Sequence, residues 1–252
     1  MSASPNGLGR VIRRLTLDPV LRRYGHPTMG CLLGVGGRIH ADPEAALRAL
    51  LDIPALPAGT WPDFDDRWEV FRRRLACHPG WRVQPDYYDI EPRTAQFLYG
   101  LVRAVRPSTV VETGVANGVS SYVLASALVD NGDGRLYSID VHPDVAPFLA
   151  EEEQRVWRLI LLPSRGRRRG LRRVLDALGP IDVFFHDSHH TYRWQMAEYE
   201  AATARMRPGG ILASDDVDAS FAFSTFCERR GRRAEFVFDS RKVCGASANP
   251  AP

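Results

Sequence analysis

Residues 110–128 read VVETGVANGVSSYVLASAL, and this stretch decides the fold. Two valines lead into an acid, Glu112, a glycine turn follows at Gly114, and Gly118 comes just before a helical segment opened by Ser120. Glycine supplies the positive φ that a tight turn needs, and Gly118 lets the helix pack close. The first N–H groups of that helix have no partners within it and face whatever lies beyond the strand. A strand passing through glycine into a helix opens a βαβ unit and is a cofactor-binding turn. A dinucleotide fingerprint would read GxGxxG, whereas here Ala116 stands where the second glycine belongs and the spacing is GxxxG. A pyrophosphate ligand is therefore disfavoured. Glu112 at the strand end would repel phosphate and suits a ligand carrying an ammonium or sulfonium group.

On either side of this stretch the chain alternates. The runs STVVETG, RLYSIDV, RLILLP, PIDVFFHD, GGILASDD and AEFVFD are short, apolar and β-branched. Helical spacing falls over Pro92–Val105, Ser120–Val129, Asp144–Glu153, Arg169–Leu178, Tyr192–Met206 and Ala219–Arg230. This pattern predicts an α/β fold, a doubly wound and mostly parallel Rossmann-like sheet with helices on both faces. Residues 1–86 read differently. A basic stretch is broken by Pro19, a helix over Pro43–Ile53 follows Asp42 as N-cap, and the Pro-rich IPALPAGTWPDFDD forms a loop. Helical spacing then returns from Trp68 to Cys77 until His78-Pro79-Gly80 stops it. We expect an N-terminal helical extension over 1–86, acting as cap, lid or oligomerisation element for a homodimer or higher oligomer, and a ligand-binding domain over 87–252.

Composition excludes several classes. With 252 residues, 44% hydrophobic and 25% charged, the chain is neither disordered nor a disulfide scaffold. Cys31, Cys77, Cys227 and Cys244 are scattered, with no CxxC pair, and are expected to be reduced. No apolar run approaches a bilayer span and no apolar segment follows Arg10, Arg13 and Arg14, so a cytoplasmic protein with no membrane partner is expected. A net charge of +3 is modest for a nucleic-acid partner, and no PPY-type base-flipping tetrad occurs. Of the 33 basic residues, Lys242 is the single lysine, so lysine chemistry has one candidate.

The second strand ends at Asp140, 22 residues beyond Gly118. In doubly wound folds an acid about 20 residues past the glycines meets the ribose hydroxyls of an adenosine-containing cofactor. Asp187 ends the fourth strand, and Asp215 and Asp216 end the fifth, on the face where ligands bind. Three converging carboxylates suit a hard cation such as magnesium, with coordination positions left for substrate oxygens and water.

Glycine turn, strand-end acid and second-strand acid resemble the class I S-adenosylmethionine-dependent methyltransferases over roughly residues 91–245. The motif DSHHTY at 187–192, read as DxxHxY, and the Asp215-Asp216 pair resemble the metal-dependent small-molecule O-methyltransferases of the macrocin and catechol type. The resemblance implies cofactor contacts from Glu112, Gly114, Asn117, Gly118, Ser120, Asp140, Ser164, Arg165 and Asp187. Glu112 would serve the methionine ammonium end, Asp140 the ribose, and Ser164 and Arg165 the adenine. It further implies Mg2+ or another divalent cation on Asp187, Asp215 and Asp216. In the catechol enzymes the last ligand is asparagine and the base is a lysine three residues past the first aspartate. Here those positions hold Asp216 and His190, so His190, with Asp187, is the expected catalytic pair and His190 the proton acceptor. His186 should point to the opposite face, His189 is expected to be a neighbour of the site or exposed, and packing is expected for Tyr192 and Trp194. The basic run RGRRRGLRR at 165–173 reads as a solvated helix face or a site for an acidic partner. The implied activity is methyl transfer to a hydroxyl of a sugar, macrolide or phenol. A methyltransferase fold that binds the cofactor but catalyses rearrangement or cyclisation is the alternative.

Overall fold

The computed structural model describes residues 37–61, 63–77, 89–146, 148–163 and 165–250. Its strands are β1 (Arg38–His40), β2 (Thr109–Thr113), β3 (Arg135–Asp140), β4 (Trp157–Leu161), β5 (Ile181–His186), β6 (Met206–Ser214), β7 (Glu235–Phe238) and β8 (Val243–Ala248). The helices are α1 (Pro43–Leu51), α2 (Phe64–Ala76), α3 (Pro92–Val105), α4 (Val119–Asn131), α5 (Glu151–Val156), α6 (Arg167–Leu178), α7 (Tyr192–Thr203) and α8 (Ala222–Arg229). The strands form one sheet in the order β1-β7-β8-β6-β5-β2-β3-β4, with every pairing parallel except those of β8. This is the doubly wound, mostly parallel Rossmann-like sheet expected from the sequence.

Strand alternation builds two cores. Val110, Val183, Phe185, Ile211 and Ala213 face α1, α3 and α4, while Val111, Phe184 and Leu212 face α6, α7 and α8. α4 is buried nearly all round, because α3 and α2 cover the side that the sheet does not. α6 is the opposite case: Leu171 and Leu175 point inward, and Arg168, Arg169, Arg172 and Arg173 are exposed.

Several expectations need correction. The extension is not purely helical, since Arg38–His40 pair with β7 as an edge strand, fixed by a 2.7 Å bond between His40 and Glu235. Its described helices share the main core through Ala46, Leu47, Phe64 and Phe71, and Arg67 bridges α2 to Asp130 and Glu152. The helix expected over Asp144–Glu153 begins only at Glu151, because Ala146 takes the left-handed conformation at φ 48° and packs against Gly118 instead. Pro208-Gly209-Gly210 lies inside β6, where it shifts the register against β5, rather than preceding the strand. β8 has no counterpart among the expected strands: its VCGASA is small-residue sequence buried by position, not by bulk. No helix among the described residues is long and apolar enough to cross a membrane.

Candidate active site

The chain runs from β2 to β3 and β4 on one side and returns to β5 on the other, so the topological switch point lies between β2 and β5. Gly114 and Asp187 meet there. A Cβ on Gly114 would stand 2.1 Å from the Asp187 carbonyl oxygen, and its φ of 83° belongs to glycine. The same turn carries Ala116 in the left-handed region at φ 46°, a strain of about 1 kcal/mol where a dinucleotide turn has glycine. Gly118, at φ 86°, closes against the backbone of Ala146.

Asp140 knits this turn to β3. Its Oδ2 accepts from the N–H groups of Val115 (2.7 Å) and Ala116 (3.4 Å), and Oδ1 from those of Val141 and His142. Glu112 is fully buried; Oε2 accepts from Ser121 (2.5 Å) and Ser138 (2.6 Å), and Oε1 has no hydrogen-bond partner. Burial pushes its carboxyl up to about 7, against the pull of the Ser120, Ser121 and Ser138 hydroxyls. Asn117 is buried and donates to Asp89 at 3.0 Å. Arg165 is exposed, and Ser164 lies outside the described residues. The unpartnered Glu112 oxygen and the half-buried acid at the end of β3 fit a cofactor with a cationic end and a diol.

The second half of the site is a charged cluster. Asp187 follows β5, Asp215 and Asp216 follow β6, and His190 sits in the loop before α7. His190 Nδ1 lies 3.0 Å from Asp216 Oδ2, and Nε2 lies 3.5 Å from Asp187 Oδ1 without a hydrogen bond of its own. Despite its burial, the two carboxylates push the imidazole up to about 10. That shift favours the protonated imidazole. Asp216, at φ 46°, is held below the usual carboxylate range by His190 and Lys242. Burial raises Asp187, and burial together with the neighbouring carboxylates raises Asp215 well above the usual range.

Lys242 completes the cluster and is the residue that sequence reasoning left unplaced. Its Nζ stands 3.3 Å from Asp215 Oδ2 and 3.4 Å from Asp216 Oδ2, and these acids raise its pKa. The turn that carries it is clamped by Glu91 at the start of α3, which accepts from Arg241 N (2.9 Å), Arg241 Nε (2.6 Å) and Lys242 N (3.2 Å). Asp239 answers from the hairpin by accepting the Arg93 and Thr94 N–H groups of α3. The missed strand β8 thus places the single lysine of the chain among the acids.

The carboxylates do not fit the expected magnesium. Asp215 and Asp216 face one another across the Lys242 ammonium, and Asp216 and Asp187 across the His190 ring. Among the described residues no group of three or more His, Cys, Asp or Glu side chains is gathered to hold a metal ion.

His186 is buried on β5 and bonded through Nδ1 to Glu198 Oε2 at 2.7 Å. Glu198 also accepts from Thr113 (2.5 Å) and Ser188 (2.9 Å), and Trp194 donates to Ser188. His186 and Trp194 thus brace the loop from behind, Trp194 with Arg168 against its ring, while His189 and Tyr192 are exposed.

Comparison with known proteins agrees with this geometry. Residues 111–217 match the family model described as "Methyltransferase domain". That match runs from within β2 to just beyond β6, and it agrees with the resemblance to the class I S-adenosylmethionine-dependent methyltransferases. Among solved structures, a cofactor-bound protein from MTB aligns with TM-score 0.57 at 17% identity over 84% of this chain and 100% of its own. The O-methyltransferase from Bacillus cereus in complex with SAH aligns at 0.54 with 18% identity, covering 81% and 97%. The O-methyltransferase TomG from Streptomyces achromogenes, involved in tomaymycin synthesis and in complex with SAM, aligns at 0.53 with 19% identity, covering 82% and 95%. No curated protein matches the sequence.

Proposed function

We propose that the protein transfers the methyl group of S-adenosylmethionine to a hydroxyl of a small natural-product-like acceptor. The observation that carries this reading is the contact of Gly114 with the Asp187 backbone, which sets the cofactor turn against a cluster of acids and cations at the adjoining strand ends. Glu112 and the turn of Gly114, Asn117, Gly118 and Ser120 would hold the methionine end, Asp140 the ribose side, and Ser164 and Arg165 the adenine side. The cofactor supplies a sulfonium-bound methyl group; methyl transfer is an in-line displacement, so positioning the acceptor oxygen is the main task of the protein.

The acceptor O–H gives its proton to Asp187, whose raised proton affinity makes it a better base than an ordinary carboxylate. His190 donates through Nε2 to the oxygen as it gains negative charge. The oxygen–methyl bond forms as the sulfur–methyl bond breaks, and the proton leaves Asp187 for water. No step runs through magnesium, because its expected ligands are engaged by Lys242 and His190.

The test separates binding from turnover. Asp140→Ala should abolish cofactor binding in calorimetry, whereas His190→Ala should bind S-adenosylhomocysteine normally and lose turnover about 100-fold or more. Equal cofactor affinity in wild type and Asp140→Ala would overturn the assignment of the turn.

A further inference from the structure

We propose that Lys242 is the resident cation of this centre: its ammonium, held between Asp215 and Asp216, takes the place a divalent ion would hold, and methyl transfer proceeds without such an ion. The role in turnover rests on the methyl-transfer reading; the occupancy of the site by Lys242 does not.

Three observations carry the inference. The lysine is placed, not incidental, because Glu91 grips its backbone N–H and that of Arg241 and fixes the turn from which the side chain reaches inward. Its side chain is only 9% exposed, and one ammonium reaches both Asp215 and Asp216. An aliphatic stem with a cationic head passing through a buried wall suits an internal counter-ion rather than a surface charge. Asp215 is fully buried and keeps Oδ1 unpartnered, so the ammonium is the group that compensates it from the β8 side while His190 serves Asp216 and Asp187 from the other. With both cations supplied by the chain, the acids orient N–H donors toward the acceptor instead of ligating a metal. Glu91 is then a positioning residue for Lys242.

The experiment uses the full chain, stripped with chelator, and Mn2+ as a paramagnetic probe read by electron paramagnetic resonance, which needs no turnover. Wild type should leave Mn2+ free at millimolar concentration. Lys242→Ala, which removes the ammonium and opens its space, should gain a Mn2+ site at least about tenfold tighter than anything in wild type, and Asp215→Asn on that background should abolish it. Lys242→Met, which keeps the volume of the stem, serves if the alanine variant fails to fold. Folding is checked by circular dichroism and a cooperative urea transition, which need no cofactor. Stoichiometric Mn2+ in wild type that Asp215→Asn removes would overturn the inference, and so would the failure of both folded Lys242 variants to bind the ion. Absence of methyl transfer from any acceptor, with the Mn2+ results as expected, would strike the methyl-transfer reading and leave the cation assignment standing.

Discussion

Glu112 shows how a single buried carboxyl can weaken the fold. Its carboxyl is raised from 4.5 to about 7 by burial. Below pH 4.5 it is protonated in folded and unfolded chains alike and contributes nothing. Between 4.5 and 7 the folded state keeps a proton that the unfolded state has lost, so stability falls as pH rises and then levels off above 7. The total is about 3 kcal/mol by the shift alone. We expect Glu112→Gln to flatten this part of the stability profile, measured by urea unfolding between pH 4.5 and 8; an unchanged slope would place the effect elsewhere. Much at this scale was legible in the sequence. Glu112, Gly114, Asp140, Asp187, Asp215 and Asp216 all sit at strand ends where a parallel sheet must put them. Protonation was not legible: the charge of His190 depends on Asp216 and Asp187, which only the folded chain brings to it.

Among the elements, the α3 start and the β7–β8 hairpin hold one another through reciprocal carboxylates, Glu91 on the turn and Asp239 on the helix. Glu91 is half of that clamp and the anchor of Lys242, and its bonds to Arg241 and Lys242 hold it below the usual carboxylate range despite burial. Replacing Glu91 by Ala should cost about 1–3 kcal/mol, because buried N–H groups lose a charged acceptor. It should also lower kcat more than KM for the acceptor, since the cation would be free to move. A variant with reduced stability and unchanged kcat would separate the clamp from the catalytic centre. β8 is the element that sequence reading missed. Strands were found by β-branched and aromatic runs, and Cys244, Gly245, Ala246 and Ser247 carry neither, although they are buried between β6 and β7. Gly245 in particular packs under Phe223, where a Cβ would stand 2.7 Å from the ring. With the strand went the lysine at its start.

Over the whole molecule, the alternation of strands and helices was sufficient for the doubly wound sheet, because a parallel strand buried on both faces has little other use. The sequence did not show how far the N-terminal segment merges with that sheet, since Arg38–His40 carries no strand pattern and is held by pairing with β7. Nor did it show that the acids would meet cations of the same chain, which follows from a contact between residues 27 positions apart. Methyl transfer is the activity proposed for this chain. Its most direct test is to incubate the purified protein with S-adenosylmethionine and a panel of hydroxylated small molecules, and to measure products by mass spectrometry. S-adenosylhomocysteine is expected in equal amount to a product heavier by one methyl group on oxygen. Cofactor bound but unconsumed while an acceptor is rearranged at unchanged mass would contradict it.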